Sequence, residues 1–480
     1  SAAAILAKIH KYKGKKRNVS SILAKEDDAR GGQVVANDAP ADKSAPIGQV
    51  EYLSVNKIDA VFAAAKPAYK KWTETSAEKR ASMLEAYADL LEKHHGELMA
   101  LCVYEAGKTV LDAHLELREA VDFCRYYAVQ GRKIFDPRGH LMGGPTGESN
   151  VLTHHGRGVF VCISPWNFPL AIFTGQVVAA LMAGNAVIAK PAEQTCAVAH
   201  RAVQLMHEAG IPRDVLQLAL GDGAVGGKLI EHKDVGGVAF TGSTEVAKII
   251  QRTLAAKDGA IVPLIAETGG QNVMIVDSSA LPEQVVDDVV LSAYGSAGQR
   301  CSALRVLLVQ EDVADKVMTM LSGAMAELRI GAPDDLATDV GPVIDEEALE
   351  VLNKHRDHLD KIGQKIAVTP MDKSLTAQGH FFAPCAYEIP SMDKLGREVF
   401  GPILHIVRYK AADIDKIITA INDTGYGLTL GVHSRIESFQ RKIVEYCHIG
   451  NAYVNRGMTG AVVGSQPFGG RGLSGTGPKA

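Results

Sequence analysis

Short apolar segments alternate with helical patterns from residue 159 onward, and this alternation restricts the folds open to the chain. Candidate strands lie at residues 159–163, 186–189, 215–220 and 237–240, and a segment with apolar residues at helical spacing follows each of them. Strands and helices in alternation form right-handed βαβ units on a parallel sheet. A second set of such units follows, so the sequence predicts an α/β protein with a domain boundary near residues 267–270.

Composition excludes several classes of protein. The 480 residues suggest about three domain-sized units, and the net charge of -4 gives no reason to expect a nucleic acid partner. The seven cysteines form no CxxC pair and no Cys/His cluster with zinc spacing, so we expect no metal site, reduced thiols and a cytoplasmic location. Residues 158–189 carry no charged side chain, but prolines, glycines and asparagines interrupt them, which is typical of buried parallel strands rather than a membrane span.

The part of the chain before residue 159 has a different pattern. Residues 1–50 are polar and predict a short helix followed by an extended arm. Residues 56–72, 76–101 and 106–130 carry apolar residues at helical spacing and predict three helices. Residues 135–153 are rich in glycine and proline and then become strand-like, which predicts a projecting hairpin.

Cys301 is the candidate nucleophile. It lies between a helical pattern at residues 285–297 and a candidate strand at 305–310, with Gly298 before it and small residues on both sides. Arg300 is adjacent, and a neighbouring cation favours the thiolate form of cysteine. The alternative is a small buried core residue, which is what most isolated cysteines are.

Two loops are candidates for binding a phosphate group, since each follows a strand and begins a helix. Residues 221–226 match the dinucleotide pattern G-x-G-x-x-G, and residues 240–245 contain Gly242 and Ser243. Spacing alone slightly favours the first loop. Lys190 and Glu193 end another strand and suit the hydroxyl groups of an adenosine ribose, with NAD favoured over NADP because Glu193 would repel a 2′-phosphate; a surface ion pair is the alternative.

Two further polar residues end apolar strands. Asn167 lies between two prolines and offers a side-chain N–H that could stabilise an oxyanion, although an asparagine that caps a turn is the alternative. Glu267 has apolar neighbours and is followed by two glycines. Such surroundings raise the pKa of a carboxyl group, so Glu267 is a candidate general base.

Seven motifs, in this order along the chain, resemble those of the aldehyde dehydrogenase superfamily. They are PWNFP (165–169), KPAE (190–193), FTGSTE (240–245), ETGG (267–270), GQRC (298–301), EVFGP (398–402) and PFGG (467–470). The resemblance covers residues 50–480. Within the superfamily, residues 266–272, 296–305 and 460–464 resemble the L-glutamate γ-semialdehyde (1-pyrroline-5-carboxylate) dehydrogenases, and above all the dehydrogenase module of the bifunctional proline utilization A (PutA) enzymes.

The resemblance implies the aldehyde dehydrogenase fold with three parts. Residues 1–136 and 157–266 would form a Rossmann-like NAD-binding domain with N-terminal helices. Residues 267–454 would form an α/β catalytic domain that carries the thiol. Residues 137–156 and 455–480 would form a β oligomerisation arm and a substrate anchor loop.

The resemblance also implies an activity and the residues that perform it. The activity is the NAD-dependent oxidation of L-glutamate γ-semialdehyde to L-glutamate, the second step of proline catabolism, through a thiohemiacetal and a thioester on Cys301; another small aldehyde is the alternative substrate. The implied catalytic residues are Cys301, Glu267 and Asn167. The implied NAD-binding residues are Ile163, Ser164, Pro165, Trp166, Lys190, Glu193, Gly223, Gly242, Ser243, Glu398 and Phe400. The implied substrate-binding residues are Glu119, Phe168, Ser302, Gly460, Ala461 and Phe468.

The resemblance changes one preference and adds two partners. It assigns the pyrophosphate to Gly242 and Ser243 and moves Gly223 closer to the adenosine. It implies a proline dehydrogenase module upstream in the full-length protein, so we expect no FAD site in these 480 residues. It implies a homodimer if a C-terminal tail is present. A non-catalytic dinucleotide-binding protein is the rival class, and the combination of Cys301, Glu267 and Asn167 argues against it.

Overall fold

The computed structural model describes residues 2–477 and 479. The α-helices, in chain order, are α1 (Ala2–His10), α2 (Ile58–Thr73), α3 (Ala77–Lys93), α4 (His95–Ala106), α5 (Val110–Ile134), α6 (Ala171–Met182), α7 (Cys196–Glu208), α8 (Gly223–Glu231), α9 (Thr244–Ala255), α10 (Pro282–Tyr294), α11 (Glu311–Glu327), α12 (Glu346–Ile362), α13 (Lys373–Gln378), α14 (Ile414–Asp423) and α15 (Glu437–Tyr446). The strands are β1 (Arg17–Ser20), β2 (Val34–Asn37), β3 (Gly48–Glu51), β4 (His140–Met142), β5 (Asn150–Leu152), β6 (Val159–Ile163), β7 (Ala186–Lys190), β8 (Leu216–Leu218), β9 (Val235–Thr241), β10 (Leu264–Glu267), β11 (Val273–Val276), β12 (Val306–Gln310), β13 (Gln364–Val368), β14 (Cys385–Glu388), β15 (Ile403–Tyr409), β16 (Tyr426–Gly427), β17 (Thr429–His433), β18 (Asn451–Val454) and β19 (Arg471–Gly472).

The first large sheet has the strand order β10-β9-β6-β7-β8, and all its strands are parallel. Helices cover both faces, so strands β7 and β8 are buried along their whole length. This burial explains why residues 158–189 lack charge. Within residues 2–477 and 479, none of the helices combines the length and the hydrophobicity that are needed to cross a bilayer.

The second large sheet has the order β13-β14-β15-β12-β11-β17-β18. Its strands are parallel except for the edge strand β13, which pairs with β14 in the antiparallel direction. The chain leaves the first sheet at Glu267 and enters the second at Val273. The change of sheet thus includes residues 267–270, where the sequence predicted a domain boundary.

The C-terminal segment returns to the end of β10. Glu267 pairs with Gly475 in an antiparallel bridge, and Thr476 N donates to Ala266 O at 2.9 Å. The neighbouring strands β16 and β19 also pair with each other in the antiparallel direction. Residues from the last part of the chain thus lie against the end of a strand that belongs to the first sheet.

Two sequence-based predictions differ from the structure in detail. The extended arm predicted within residues 1–50 is instead a three-stranded sheet of order β1-β3-β2, joined to β8 by a bridge between Ile22 and Leu218. The helix predicted at 285–297 ends earlier, at Tyr294, because the following residues adopt positive φ angles. The hairpin predicted after residue 135 is confirmed as the pair β4 and β5, where Leu141 is 81% exposed.

Candidate active site

Cys301 follows a loop whose backbone has an uncommon conformation. Ser296, Ala297 and Gly298 have φ angles of 54°, 54° and 66°. Such left-handed conformations cost about 1–3 kcal/mol for residues other than glycine and persist where the surroundings fix them. A Cβ at Gly298 would also overlap the main-chain oxygen of Gly401. The loop therefore depends on contacts outside itself.

The guanidinium group of Arg305 supplies many of those contacts. Its Nη1 donates to the main-chain oxygens of Gly298 at 2.7 Å and Gly401 at 3.1 Å. Its Nη2 donates to the main-chain oxygen of Arg300 at 3.2 Å and to Glu398 Oε1 at 3.1 Å. Arg305 is 2% exposed, and a buried charge is tolerated only when it is paired and hydrogen-bonded, as it is here.

The thiol of Cys301 faces a carboxylate-rich environment. Burial raises the pKa of Cys301 to about 12, and the negative charges of Glu398, Glu267 and Glu119 act in the same direction. These carboxylates come from the loop between β14 and β15, the end of β10 and helix α5. The fold therefore brings together side chains that are far apart in sequence, as the motifs predicted.

Arg300 does not act on the thiol as the sequence suggested. Its Nη2 donates to Asp112 Oδ1 at 2.6 Å and its Nε donates to Ser296 Oγ at 3.1 Å. The guanidinium group is thus paired with Asp112, and the pKa of Cys301 is raised rather than lowered. The prediction that Arg300 favours the thiolate is wrong for this reason.

Asn167 lies in the loop after β6 and reaches the cysteine loop. Its Nδ2 donates to the main-chain oxygen of Gln299 at 3.0 Å. A side-chain amide carries two N–H groups. One N–H of Asn167 is therefore used to dock the two loops, and the second remains for a group bound next to Cys301.

Glu267 combines a fixed oxygen with a free one. Its Oε2 accepts a hydrogen bond from Gly470 N at 3.0 Å, whereas its buried Oε1 has no partner among the described residues. Burial raises the pKa of Glu267 to about 7, although the Gly470 N–H acts in the opposite direction. A carboxyl group with this pKa can accept a proton near neutral pH, as the sequence predicted.

The two glycines of ETGG allow other side chains to approach the end of β10. A Cβ at Gly269 would overlap Glu398 Oε2, and a Cβ at Gly270 would lie 2.5 Å from Asn272 Oδ1. Burial raises the pKa of Glu398, and the main-chain N–H of Gly270 acts in the opposite direction. Both positions thus exclude a side chain because the packing around them leaves no space.

Loops from the two sheets meet beside Glu398. Ile163 is the last residue of β6, and Pro165 and Trp166 follow it in the loop. The rings of Trp166 and Phe400 pack edge to face, with their centroids 5.6 Å apart and their planes at 89°. Trp166 and Phe400, which the resemblance assigns to one cofactor, thus lie in contact although they are far apart in the sequence.

Unsatisfied polar groups lie along the same edge. Ser164 Oγ is buried without a partner among the described residues. Lys190 is 4% exposed, and its Nζ donates to Pro191 O at 3.0 Å and lies 3.9 Å from Glu193 Oε2. Burial lowers the pKa of Lys190. Because an ammonium group has three donors, these residues fit ligand hydroxyls better than they fit the alternative of a surface ion pair.

The caps of the two candidate phosphate loops differ in charge. Helix α8 begins at Gly223, and the Asp222 carboxylate accepts a hydrogen bond from Ala224 N at 2.9 Å. The Asp222 carboxylate thus occupies the place at the start of α8 where a bound anion would lie. Helix α9 has a neutral cap, since Ser243 Oγ accepts from Val246 N at 3.2 Å. Because two anions repel each other, α9 is the better candidate for a pyrophosphate, and the preference based on spacing is not supported.

Gly242 precedes this second helix in a confined position. Its N–H donates to Glu267 O at 3.1 Å, and a Cβ there would lie 2.6 Å from the ring of Phe240. Glu245 lies in the first turn of α9, and its Oε1 accepts a hydrogen bond from Arg397 Nη1 at 2.9 Å. The Arg397 cation therefore offsets the negative charge of Glu245 at the start of the helix. The packing around Gly242 therefore leaves no space for a side chain, which agrees with the glycine expected at this position.

Phe168 and Glu119 lie where α5 meets the start of α6. The Nζ of Lys108 lies 4.3 Å from the centroid of the Phe168 ring, and Lys108 forms a buried ion pair with Glu116 at 3.0 Å. Burial, assisted by Glu116, raises the pKa of Glu119 to about 7. Ser302, directly after Cys301, is buried. Of these side chains, Glu119 acts on the pKa of Cys301.

Gly460, Ala461 and Phe468 belong to the loop that follows β18. Gly460 is exposed and has a φ angle of 78°. The loop approaches α5, since a Cβ at Gly464 would lie 3.3 Å from the ring of Tyr126. Within the described part of the chain, the N–H groups of Gly460 and Ala461 donate no hydrogen bond. The loop thus presents free donors beside the helix that carries Glu119.

A comparison with protein families agrees with this geometry. The sequence model of the aldehyde dehydrogenase family matches residues 27–480. The chain belongs to the aldehyde dehydrogenase family. The Rossmann-like and α/β character predicted from the motifs is confirmed by this match and by the solved structures that resemble the chain.

Individual relatives narrow the comparison within the aldehyde dehydrogenase family. The bifunctional protein PutA of Klebsiella aerogenes is 50% identical over 449 residues, which are 92% of this chain and 33% of that protein. The 1-pyrroline-5-carboxylate dehydrogenase of Geobacillus sp. (strain WCH70) is 37% identical over 462 residues, 94% of this chain and 88% of that protein. A crystal structure of 1-pyrroline-5-carboxylate dehydrogenase from Thermus with bound NAD has a TM-score of 0.92 and 32% identity, and the match covers 99% of this chain and 91% of that one. The chain thus spans about a third of the length of the PutA relatives.

Sequence reasoning missed two residues that organise this aldehyde dehydrogenase site. Arg305 appeared as the first residue of a candidate strand and as the last residue of a family motif, with no role assigned, although a cation at the head of an apolar strand could have indicated a buried ion pair. Asn272 appeared only within a family motif, and it is a polar residue placed directly before the buried strand β11. The charged partner of Arg305, Glu398, lies 93 positions away, and the nearest partner of the Asn272 amide lies 29 positions away.

We expect Gly269→Ala to destabilise the folded chain. The new Cβ would displace the Glu398 carboxylate from Arg305, and overpacking of this kind costs about 1–3 kcal/mol. The measurement is the midpoint of urea unfolding followed by fluorescence. Gly323→Ala is the matched control, because a Cβ at Gly323 in helix α11 meets no atom within 4 Å and should be neutral or stabilising. Equal midpoints for the two variants would contradict the packing argument.

Proposed function

We propose that the chain oxidises L-glutamate γ-semialdehyde to L-glutamate with NAD as the hydride acceptor. The observation that carries the proposal is Glu267, whose carboxylate oxygen has no partner among the described residues and whose pKa of about 7 suits a base close to the thiol of Cys301. A base is needed to hydrolyse a thioester, whereas transfer of the acyl group to another thiol would not need one. Relatives named 1-pyrroline-5-carboxylate dehydrogenase support this choice of substrate.

The first chemical step uses Cys301 and the donors around it. The thiolate sulfur attacks the aldehyde carbon and forms the C–S bond of a thiohemiacetal, while the C=O electrons move to the oxygen. The free N–H of Asn167 and the main-chain N–H of Cys301 would then donate to this oxyanion. Loss of one such donor typically costs about 3–4 kcal/mol of transition-state stabilisation.

The residues at the edge of the first sheet would hold the cofactor. Lys190 and Glu193 would bind the adenosine ribose, Gly242 and Ser243 the pyrophosphate, and Glu398 the nicotinamide ribose. When bound, NAD⁺ accepts the hydride and adds a positive charge that favours the thiolate. The free donors of Lys190 and the neutral cap of α9 support this assignment.

Glu267 would complete the reaction. The carboxylate takes a proton from water, the water oxygen attacks the thioester carbon, and the sulfur of Cys301 leaves as the thiolate. The Gly470 N–H holds Oε2, so that Oε1 remains directed at the reacting water. The product carboxylate is the side-chain carboxylate of L-glutamate.

Substrate selection would depend on donors at the two ends of the pocket. The hydroxyl of Ser302 and the N–H groups of Gly460 and Ala461 would bind the α-carboxylate of the semialdehyde. Phe168 and Phe468 would pack against its aliphatic carbons. Glu119 would lie at the entrance of the pocket on α5.

The domain division and the partners follow as proposals of the same kind. We propose that residues 1–136 and 157–266 bind NAD, that 267–454 carry the thiol, and that 137–156 and 455–480 supply the arm and the anchor loop. The exposed apolar strands β4 and β5 support an arm that pairs with a second copy. Relatives named bifunctional PutA support a proline dehydrogenase module in the full-length, cytoplasmic protein.

The direct test measures NADH formation from L-glutamate γ-semialdehyde and, separately, from propanal. We expect the semialdehyde to have the higher kcat/KM, and Cys301→Ala to lower its rate by more than about a thousandfold. Cys447→Ala is the matched control, since Cys447 is a buried cysteine at the end of α15. A preference for propanal would favour another small aldehyde, and full activity of Cys301→Ala would refute the proposed nucleophile.

A second prediction concerns pH. Because the basic form of Glu267 exists above its pKa of about 7, kcat should fall as the pH decreases through this value. Glu267→Gln should lower kcat by about 10²–10⁴-fold and remove this dependence. Steady-state rates between mildly acidic and mildly basic pH provide the measurement. An unchanged acidic limb in Glu267→Gln would assign the titration to another group.

A further inference from the structure

A carboxylate from helix α5 caps the start of helix α6. Glu116 is 1% exposed, and its Oε1 accepts hydrogen bonds from Leu170 N at 2.8 Å and Ala171 N at 3.2 Å. Leu170 occupies the N-cap position of α6, and its apolar side chain makes no capping bond. The first N–H groups of a helix have no partner inside it, and a carboxylate is favoured there by the helix dipole. Glu116 therefore fixes the main chain just after Phe168.

The ammonium group of Lys108 joins this carboxylate to an aromatic ring. Its Nζ lies 3.0 Å from Glu116 Oε2 and 4.3 Å from the centroid of the Phe168 ring. Lys108 is 6% exposed. An ammonium group over an aromatic ring is attracted by the negative charge density of the ring face, and the attraction is strongest where water is excluded. One buried ion pair thus holds both the ring of Phe168 and the main chain that follows it.

The ring of Phe168 remains accessible although its neighbours are enclosed. Asn167 and Pro169 are buried, whereas Phe168 is half-buried. An aromatic ring has two faces, and the Lys108 ammonium lies over one of them. The other face is left for an apolar group, such as the aliphatic carbons of an aldehyde. The direction of that face depends on the contact between Lys108 and the ring.

We propose that Lys108 and Glu116 are positioning residues that orient the Phe168 ring and thereby select the aliphatic chain of the aldehyde. The inference deepens the proposed function and rests on it, because Phe168 contacts the substrate in that assignment. Neither Lys108 nor Glu116 is assigned a contact with the substrate or with NAD. Their loss should therefore reduce the discrimination between aldehydes and leave the binding of NAD unchanged.

The test is a double-mutant cycle between Lys108→Met and Phe168→Leu. For each protein, kcat/KM is measured with L-glutamate γ-semialdehyde and with acetaldehyde, which has a single methyl group in place of the chain. The ratio of the two values is the chain selectivity, and it does not depend on the fraction of the protein that is folded, because the enzyme concentration cancels.

We expect Lys108→Met to lower the chain selectivity about tenfold, since contact with one methylene group is worth about that factor in kcat/KM. In the Phe168→Leu background, the same substitution should lower it by less than about twofold, because leucine offers no ring for the ammonium group to orient. The dissociation constant of each variant for NAD should equal that of the parent. A purely structural role would instead lower both kcat/KM values together.

Lys133→Met is the matched control. Lys133 lies in the last turn of the same helix α5 and is exposed, so this variant makes the same chemical change away from the ring. Its chain selectivity should stay within about twofold of the parent, as is usual for an exposed charge.

A second variant covers the case in which Lys108→Met is recovered unfolded. Removing one partner of a buried ion pair leaves an uncompensated charge, whereas replacing both partners is often tolerated. The combination of Lys108→Met with Glu116→Gln then carries the same test with the same expected decrease. Glutamine keeps an oxygen that accepts from the N–H groups of Leu170 and Ala171.

Three results would overturn the inference: an unchanged chain selectivity in Lys108→Met, an equal decrease in the Phe168→Leu background, or an equal decrease in Lys133→Met. The proposed function is judged on the parent chain, and its choice of substrate fails if the parent uses butanal better than the semialdehyde. In that case the cycle is read with butanal and acetaldehyde, since butanal carries the aliphatic carbons without the α-carboxylate.

Discussion

The buried guanidinium group of Arg305 is the interaction on which the site depends. Its charge is tolerated inside the protein because Glu398 and three main-chain carbonyl groups share it. Those carbonyls belong to the strained loop before Cys301 and to the segment after Glu398. Removing the cation would leave the buried Glu398 carboxylate without its partner and the loop without its support. The position of Cys301 and the position of Glu398 therefore both depend on Arg305.

This arrangement gives Glu398 two opposing effects, one on the stability of the loop and one on the ionisation of Cys301. Glu398 stabilises the loop by pairing with Arg305, yet its charge also opposes ionisation of Cys301. The charge of Glu267 also opposes ionisation of Cys301. A resting thiol that is mostly protonated is the physical consequence.

Local patterns predicted much of the fold, and they singled out Cys301 and Glu267, which the structure brings close to each other. Apolar runs such as β6 and β11 have clear boundaries because they are buried on both faces, and Glu267 ends such a run. The partner of Arg300 could not be predicted, because Asp112 lies 188 positions away in the sequence. The strands within residues 17–51 were missed since each has four residues and no clear alternation. Their pairing is decided by the rest of the fold.

The central claim is that Cys301 forms a thioester that Glu267 releases. It is tested most directly by mixing the Glu267→Gln variant with NAD and L-glutamate γ-semialdehyde, and by measuring the NADH burst together with the mass of the intact protein. The account predicts about one NADH per active site and an acyl group on Cys301, because the first half of the reaction does not need the base. Continued turnover at the parent rate, or a burst without an adduct on Cys301, would contradict it.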